Sequence, residues 1–428
     1  MKRIKLAIII CFLFVFSCCS VNAGDGAPAV EWDRTYGAVY GQSVFPTDDG
    51  GYLIGGTTGD WPTSYRGSGS WTNHTAALIK IDASGELVWR KNYTRGHLLF
   101  AIVTSDGGYL LATSIESDFI KTDSQGNVQW TKTYAALDGA SIFSFIQTRD
   151  GGYAIAGFGD HPISGVEGRL VKIDSEGNLQ WNQTYGELNG VVRLRSVIET
   201  DDGYALAGTI LAGSINDDMW LVKTDLEGNV EWEKRYGGQN SEGCASAVRA
   251  IDGGYLLAGY TRSFGAGDSV CFVVKTDSSG NLEWNQTYGG SGRDSCMSVV
   301  EAMDGGYVLT GFVNNTSNGQ AAVVVKLSVS GELKWEKDYP GENKIQSVTV
   351  ASDGGYVFVG YKGDSSNRDS EVWAVKLEPD YAHSAVDVLA WFFSADGVTI
   401  TVAIVASCVT VIVVSSVIYK RRQTTNKT

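Results

Sequence analysis

Trp61, Tyr65, Arg66 and Trp71 share one Gly- and Ser-rich stretch of this 428-residue chain and are its most pointed candidates for recognition chemistry. Exposed aromatic rings with little to pack against form stacking platforms for sugars or anchors for a protein partner. The plainer alternative is that they fold back over their own scaffold. Asp217, Asp218, Asp268, Asp294 and Asp369 are hard oxygen donors that would suit calcium, although no contiguous loop motif joins them. No Cys/His spacing matches a metal site, and no other cofactor is expected. His161, in Gly159-Asp-His-Pro162, is a candidate binding residue or base, or simply a loop residue. The other histidines are His74, His97 and His383, and there is no Gly-x-Ser-x-Gly, His-Glu-x-x-His or phosphate-loop motif. Catalysis therefore finds little support, with carboxylate pairs from distant segments left open as one enzymatic device.

Such residues need a scaffold, and the chain repeats one. An Asp-Gly-Gly-Tyr-type phrase, followed by an apolar run and Gly, recurs at Tyr52, Tyr109, Tyr153, Tyr204, Tyr255, Tyr307 and Tyr356. A second phrase of the type Lys-x-Asp-x-x-Gly-x-x-x-Trp ends on Trp89, Trp130, Trp181, Trp232, Trp284 and Trp335. Repetition at this period outranks local signals in deciding a fold. In the unit 245–290, a short strand ends at Asp252-Gly-Gly254, whose residues supply the positive φ of a tight turn. Residues 255–260 return antiparallel, and 270–275 form a β-branched third strand covered on both faces. A further turn at 277–281 leads to a fourth strand, 282–288. Each unit is a four-stranded antiparallel meander, and nothing between the units has helical periodicity.

A lone four-stranded sheet exposes two faces and two edges, which radial repetition removes. Trp32 to Gly37 matches a fourth strand without its first three, and Glu371 to Lys376 matches a third strand without its fourth. The expectation is an all-β, seven-bladed β-propeller over 24–380, closed by its N-terminal strand. A solenoid is the alternative, but it calls for capping repeats rather than complementary halves.

Lys2, Arg3 and Lys5, an apolar stretch to Phe16 and small residues ending at Ala23 read as a signal peptide, 1–23. Cys18 and Cys19 raise a lipoprotein-type alternative. Residues 398–419 are uncharged and long enough to cross about 30 Å of hydrocarbon. They are expected to form one C-terminal transmembrane helix after a juxtamembrane linker, 381–397. Lys420, Arg421 and Arg422 begin a short tail, 420–428, placed on the cytoplasmic side by its charge, with the propeller outside the cell. The chain carries −14; setting aside seven basic residues at its two ends leaves −21 between 6 and 419. Such a domain repels phosphate backbones, so no nucleic-acid partner is expected. Asn-x-Ser/Thr triplets at Asn73, Asn92, Asn182, Asn285, Asn314 and Asn315 allow glycosylation. Of the exterior cysteines, Cys244 and Cys296 hold equivalent places in adjacent blades. Cys271 stands two strand spacings, about 9.5 Å, from Cys244. A disulfide needs Cα atoms within about 7 Å, so any bridge is expected between Cys244 and Cys296, with Cys271 a buried thiol.

Alternating strands put the two repeated turns on one face of the ring and the variable loops on the other, and function usually sits on the variable loops. The blade tryptophans read as inter-sheet packing. Lys80, Lys121, Lys172, Lys223, Lys275, Lys326 and Lys376 lie two residues before an aspartate or another polar residue, as in a repeated scaffold ion pair.

Trp232 to Gly238, Asp252 to Tyr255 and Lys275 to Trp284 are the fullest copies of a pattern that resembles exported prokaryotic β-propellers. The likeness covers nearly all of 30–378. It is also distantly similar to quinoprotein and kelch repeats, without a quinone pocket to carry over. The resemblance implies location and fold more than chemistry. The leading expectation is a membrane-anchored, non-enzymatic cell-surface module that binds a glycan or an envelope protein through its variable loops. A polysaccharide-acting or quinoprotein-like enzyme and a structural surface-layer or assembly component are the alternatives.

Overall fold

The computed structural model describes residues 26–380 apart from 38–39, 60–73, 115–117, 138–139, 162–164, 187–189, 212–215, 316–318, 342 and 364–369. Trp61, Tyr65, Arg66, Trp71, Asp369, the expected signal peptide and the expected span 398–419 lie outside the described residues. No described helix is long and apolar enough to cross a membrane.

Seven four-stranded antiparallel units make the fold. Six are continuous in sequence, covering 40–95, 98–133, 141–185, 190–236, 242–288 and 295–340 (blades 1 to 6). Blade 7 takes three strands, Lys344–Val350, Tyr356–Lys362 and Glu371–Leu377, from one end of the ring and Val30–Thr35 from the other. Val30 pairs with Leu377 and Thr35 with Trp373, which is the closure expected from the two partial repeats. Blades 3 and 4 are also joined by a short parallel contact of Gly165–Val166 with Gly190–Val191.

Burial explains the strand sequences. The third strand Val270–Thr276 is buried at every position and, Lys275 apart, is apolar or β-branched, whereas the outermost Leu282–Tyr288 is mostly exposed. In the Asp-Gly-Gly turn, Gly253 has φ +86°, and a Cβ on Gly254 would lie 2.0 Å from the Thr276 carbonyl oxygen. Blade 4 departs from this pattern. Its turn, Asp201-Asp202-Gly203, is one residue shorter and closes from the Thr200 N–H to the Gly203 carbonyl.

All seven recurrent lysines are buried and ion-paired, but with a different partner from the one the strand spacing suggested. Each reaches the aspartate of its own blade's Asp-Gly-Gly or Asp-Asp-Gly turn: Asp49, Asp106, Asp150, Asp202, Asp252, Asp304 and Asp353. The hairpin between third and second strands lays the lysine beneath that turn. The aspartates two residues on do other work. Asp123 and Asp225, for example, accept the backbone N–H of the residues two and four ahead and so fix the next turn.

Neighbouring blades are fastened at the outer edge by one repeated device. Six blade tryptophans pack on the positive-φ glycine of the following blade's turn, as Trp232 does on Gly280 and Trp284 on Gly331; Trp335, which faces blade 7, does not. The fourth-strand tyrosine donates its hydroxyl to that glycine's carbonyl. The pairs are Tyr36–Gly85, Tyr93–Gly126, Tyr134–Gly177, Tyr185–Gly228, Tyr236–Gly280 and Tyr288–Gly331, at 2.5–3.0 Å. Tyr339 faces blade 7, where ring closure replaces that turn, and its buried hydroxyl has no partner among the described residues. Asp380 fills part of the gap, accepting hydrogen bonds from Trp335 and Tyr356.

The expected Cys244–Cys296 bridge is not formed. Cys271 and Cys296 are joined, with Cα atoms 5.1 Å apart, and Cys244 is the buried free thiol. Equivalent first-strand positions all point back toward the preceding blade. Cys244 therefore packs with blade 4 residues such as Leu221, and Cys296 packs with blade 5 residues such as Val273. Two equivalent positions never face one another. Cys271, on the third strand of blade 5, faces forward and meets Cys296.

Candidate functional site

The described residues enclose one large cavity of about 780 Å³, lined by the first strands of all seven blades. This is the central channel. Each of those strands carries a bulge, at Gln42, Leu99, Phe143, Arg195, Ala245, Met297 and Gln346. An extra residue bends the strand and redirects its side chains, so the inner wall is set by these positions.

The next residue is serine in six blades. Ser144, Ser196, Ser246, Ser298 and Ser347 each accept the backbone N–H of the following blade's first strand, at 3.0–3.4 Å. These hydroxyls form an inner latch that complements the tyrosine latch outside. Blade 2 breaks the ring. Phe100 stands in the serine position and packs edge-to-face with Phe45 and Phe145, at 5.8 and 5.3 Å. The buried Ser43 hydroxyl, which would precede it in the ring, has no partner among the described residues.

The bulge residues themselves do not repeat. Arg195 lies over Phe143 with its guanidinium 3.8 Å from the ring centroid, and Phe143 stacks on Phe158 at 5.1 Å and 8°. Arg193 lines the channel two residues nearer the variable face. Burial lowers the Arg195 pKa, and Arg193 adds to that effect. Asp217 is the one carboxylate among the lining residues. Farther along the first strands of blades 1, 3, 5 and 6 the wall becomes apolar, with Phe45, Ile146, Val248 and Val300, while blade 7 presents Thr349 there.

The expected site residues are dispersed. Asp268 is exposed on the long blade 5 loop. Asp294 is 2% exposed, and its carboxylate accepts the backbone N–H of Gly290 at 2.6 Å and of Asn314 at 2.9 Å. Its blade 5 counterpart is Glu242, fully buried and hydrogen-bonded to Gly238, Thr261 and Ser263. Asp218 lies beside Glu242 next to Gly237, and burial, then Glu242, raises its pKa. No group of three or more His, Cys, Asp or Glu suited to a metal ion occurs among the described residues. For His161 only the backbone is described, at the end of Tyr153–His161.

Sequence reasoning missed two further features. His74 and His97 meet at 3.1 Å between blades 1 and 2, where burial and then His74 lower the His97 pKa to about 4. Arg193 and Arg195 were also missed, although aligning the seven first strands would have exposed them as positions without a repeat.

The fold is found again in solved structures. The chain resembles the RRP9 WD40 repeats (12% identity, TM-score 0.55, 82% of this chain and 99% of that one). It also resembles U3-55K (12%, 0.54, 82% and 100%) and the Pan2 WD40 domain of Neurospora crassa (9%, 0.52, 82% and 96%). Identities this low speak for the fold alone. No curated protein matches the chain. A family model described as outer membrane protein assembly factor BamB matches residues 148–379, more than half of the chain, from the second strand of blade 3 through Glu371–Leu377. The chain is thus a seven-bladed β-propeller repeat protein and belongs to that family.

Proposed function

We propose that this propeller is a non-enzymatic interaction scaffold that docks a protein partner of the cell envelope on its variable-loop face. One observation carries this reading. The repeated polar and aromatic residues are occupied by blade-to-blade latches, so the residues free to differ collect on the loops and at the channel mouth. Membership in a family described by outer membrane protein assembly supports a partner that is a protein rather than a glycan. Anchoring by residues 398–419 would hold the ring at the membrane surface. The enzymatic reading has less to stand on, because the described channel wall brings together no pair of carboxylates and no histidine.

The test is photo-cross-linking in the native membrane with a photoreactive residue at Asp268 or at Ile251. Ile251 lies on the opposite face and is 86% exposed, the most exposed large apolar side chain described. A polypeptide adduct from Asp268 and none from Ile251 is expected. Adducts from Ile251 alone, or from neither position, would overturn the assignment of the docking face.

A further inference from the structure

We infer that the end of the channel nearest the variable loops is a binding site for a carboxylate attached to a compact apolar body, with Arg193 and Arg195 as its anion-holding residues. The site does not depend on docking at the loops.

Four observations converge. First, neither guanidinium is needed by the scaffold. The places equivalent to Arg195 are Gln42, Leu99, Phe143, Ala245, Met297 and Gln346, and those equivalent to Arg193 include Gly243 and Ser295. Second, the two cations repel one another and no described carboxylate pairs with either. Of the groups that act on Arg195, Arg193 is the one that is charged, because the Cys244 thiol is held neutral by burial. A bound anion would relieve that repulsion where water is partly excluded. Third, Arg195 is already held. Its face rests on Phe143, which rests on Phe158, so its N–H fork is oriented before a ligand arrives. Fourth, the wall divides by depth, with Arg193, Arg195, Asp217 and polar groups above and, Thr349 apart, apolar side chains below. The cavity, about 780 Å³, falls in the range that encloses small ligands.

The same features select the ligand. An arginine fork matches carboxylate or phosphate. The surrounding domain is strongly acidic, with −21 between residues 6 and 419, and opposes an approaching polyanion more than a single carboxylate. Phe45, Phe100 and Phe143 offer the apolar contact that a carboxylic acid's hydrocarbon part would take. Two sources present this chemistry, a free carboxylic acid and the C-terminus of a peptide with an apolar last residue.

Calorimetric titration of the full-length protein separates them. The probes are phenylacetate, acetyl-Gly-Gly-Phe with a free C-terminus, the same peptide amidated, and sulfate. One-to-one binding is expected for at least one of the two carboxylates, at least tenfold tighter than for the amide or for sulfate. Phenylacetate alone would mark a small-molecule site, and the free-acid peptide alone a polypeptide terminus. Arg193→Gln and Arg195→Gln should each weaken binding at least tenfold without changing the ligand-free melting temperature, and Arg195→Lys should fall between. If Arg195→Gln does not fold, Arg193→Gln, which disturbs no stack, decides the matter. Equal binding of acid and amide, no binding of either acid, or wild-type affinity in Arg193→Gln would overturn the inference. A failed cross-link from the loops would leave this result untouched.

Discussion

Tyr185→Phe and Tyr339→Phe remove the same atom from equivalent places and should have opposite consequences. Tyr185 donates to the Gly228 carbonyl at 2.8 Å, and Gly228 has φ +81° beneath Trp181. Losing a neutral hydrogen bond costs about 0.5–1.5 kcal/mol, and a carbonyl stranded away from water raises that toward about 3 kcal/mol. Unfolding entropy near 2.1 cal/mol/K per residue over about 350 residues converts 1–3 kcal/mol into a fall in Tm of about 1.5–4 °C. The Tyr339 hydroxyl is buried without a partner among the described residues, so its removal deletes a desolvation cost and leaves no orphan. Tyr339→Phe should be neutral or up to about 1 kcal/mol stabilising. Urea unfolding followed by tryptophan fluorescence, with unchanged slopes, reads both values. Equal losses in the two variants, or no loss in Tyr185→Phe, would refute the outer latch as an energetic device.

The Cys271–Cys296 bridge closes a loop with a sequence separation of 25, so its reduction should cost about 3.5 kcal/mol and lower Tm by about 5 °C. Cys244 is buried, and burial pushes its thiol up to about 12, so the Cys244 thiol should react with an alkylating agent only after unfolding, read by peptide mapping. In the paired turns, burial raises the Asp49 and Asp150 carboxyls, but bonds from Lys80 and Thr47, and from Lys172 and Thr148, outweigh it and hold each at about 2. Because the folded values lie below the ordinary 3.8, their stabilisation is complete above about pH 4 and is lost as pH falls toward 2. Asp49→Asn with Asp150→Asn should flatten that acid limb in circular-dichroism melts while leaving its shape above pH 5 intact. Trp32→Ala, which empties the space over Gly85 and beside Tyr52, should cost about 3–5 kcal/mol in denaturant unfolding.

Blade number and ring closure were legible because a strand without its sheet at one end and a sheet without its strand at the other define each other. The turn glycines were legible too, since Gly253 needs positive φ and Gly254 needs to lack a Cβ. What escaped was whatever depends on how blades face one another. Spacing along a strand suggested that Lys275 pairs two residues on, but pairing of Lys275 with Leu256 across the hairpin brings Asp252 to it. Equivalence suggested Cys244 for Cys296, although equivalent positions point the same way around the ring. The bulge before each serine shifts the alternation by one residue and hides the channel positions from a period-two reading. Arg193 and Arg195 then look like ordinary exposed strand residues.

Both faces and the channel itself exist only if Val30–Thr35 completes the sheet of Glu371–Leu377. Backbone deuterium exchange in the intact protein tests this directly. The amides of 30–35 that bond across the pair should exchange as slowly as those of an interior outermost strand such as Leu179–Tyr185. Exchange of 30–35 at the rate of an unstructured peptide, with 179–185 still protected, would contradict the closed ring.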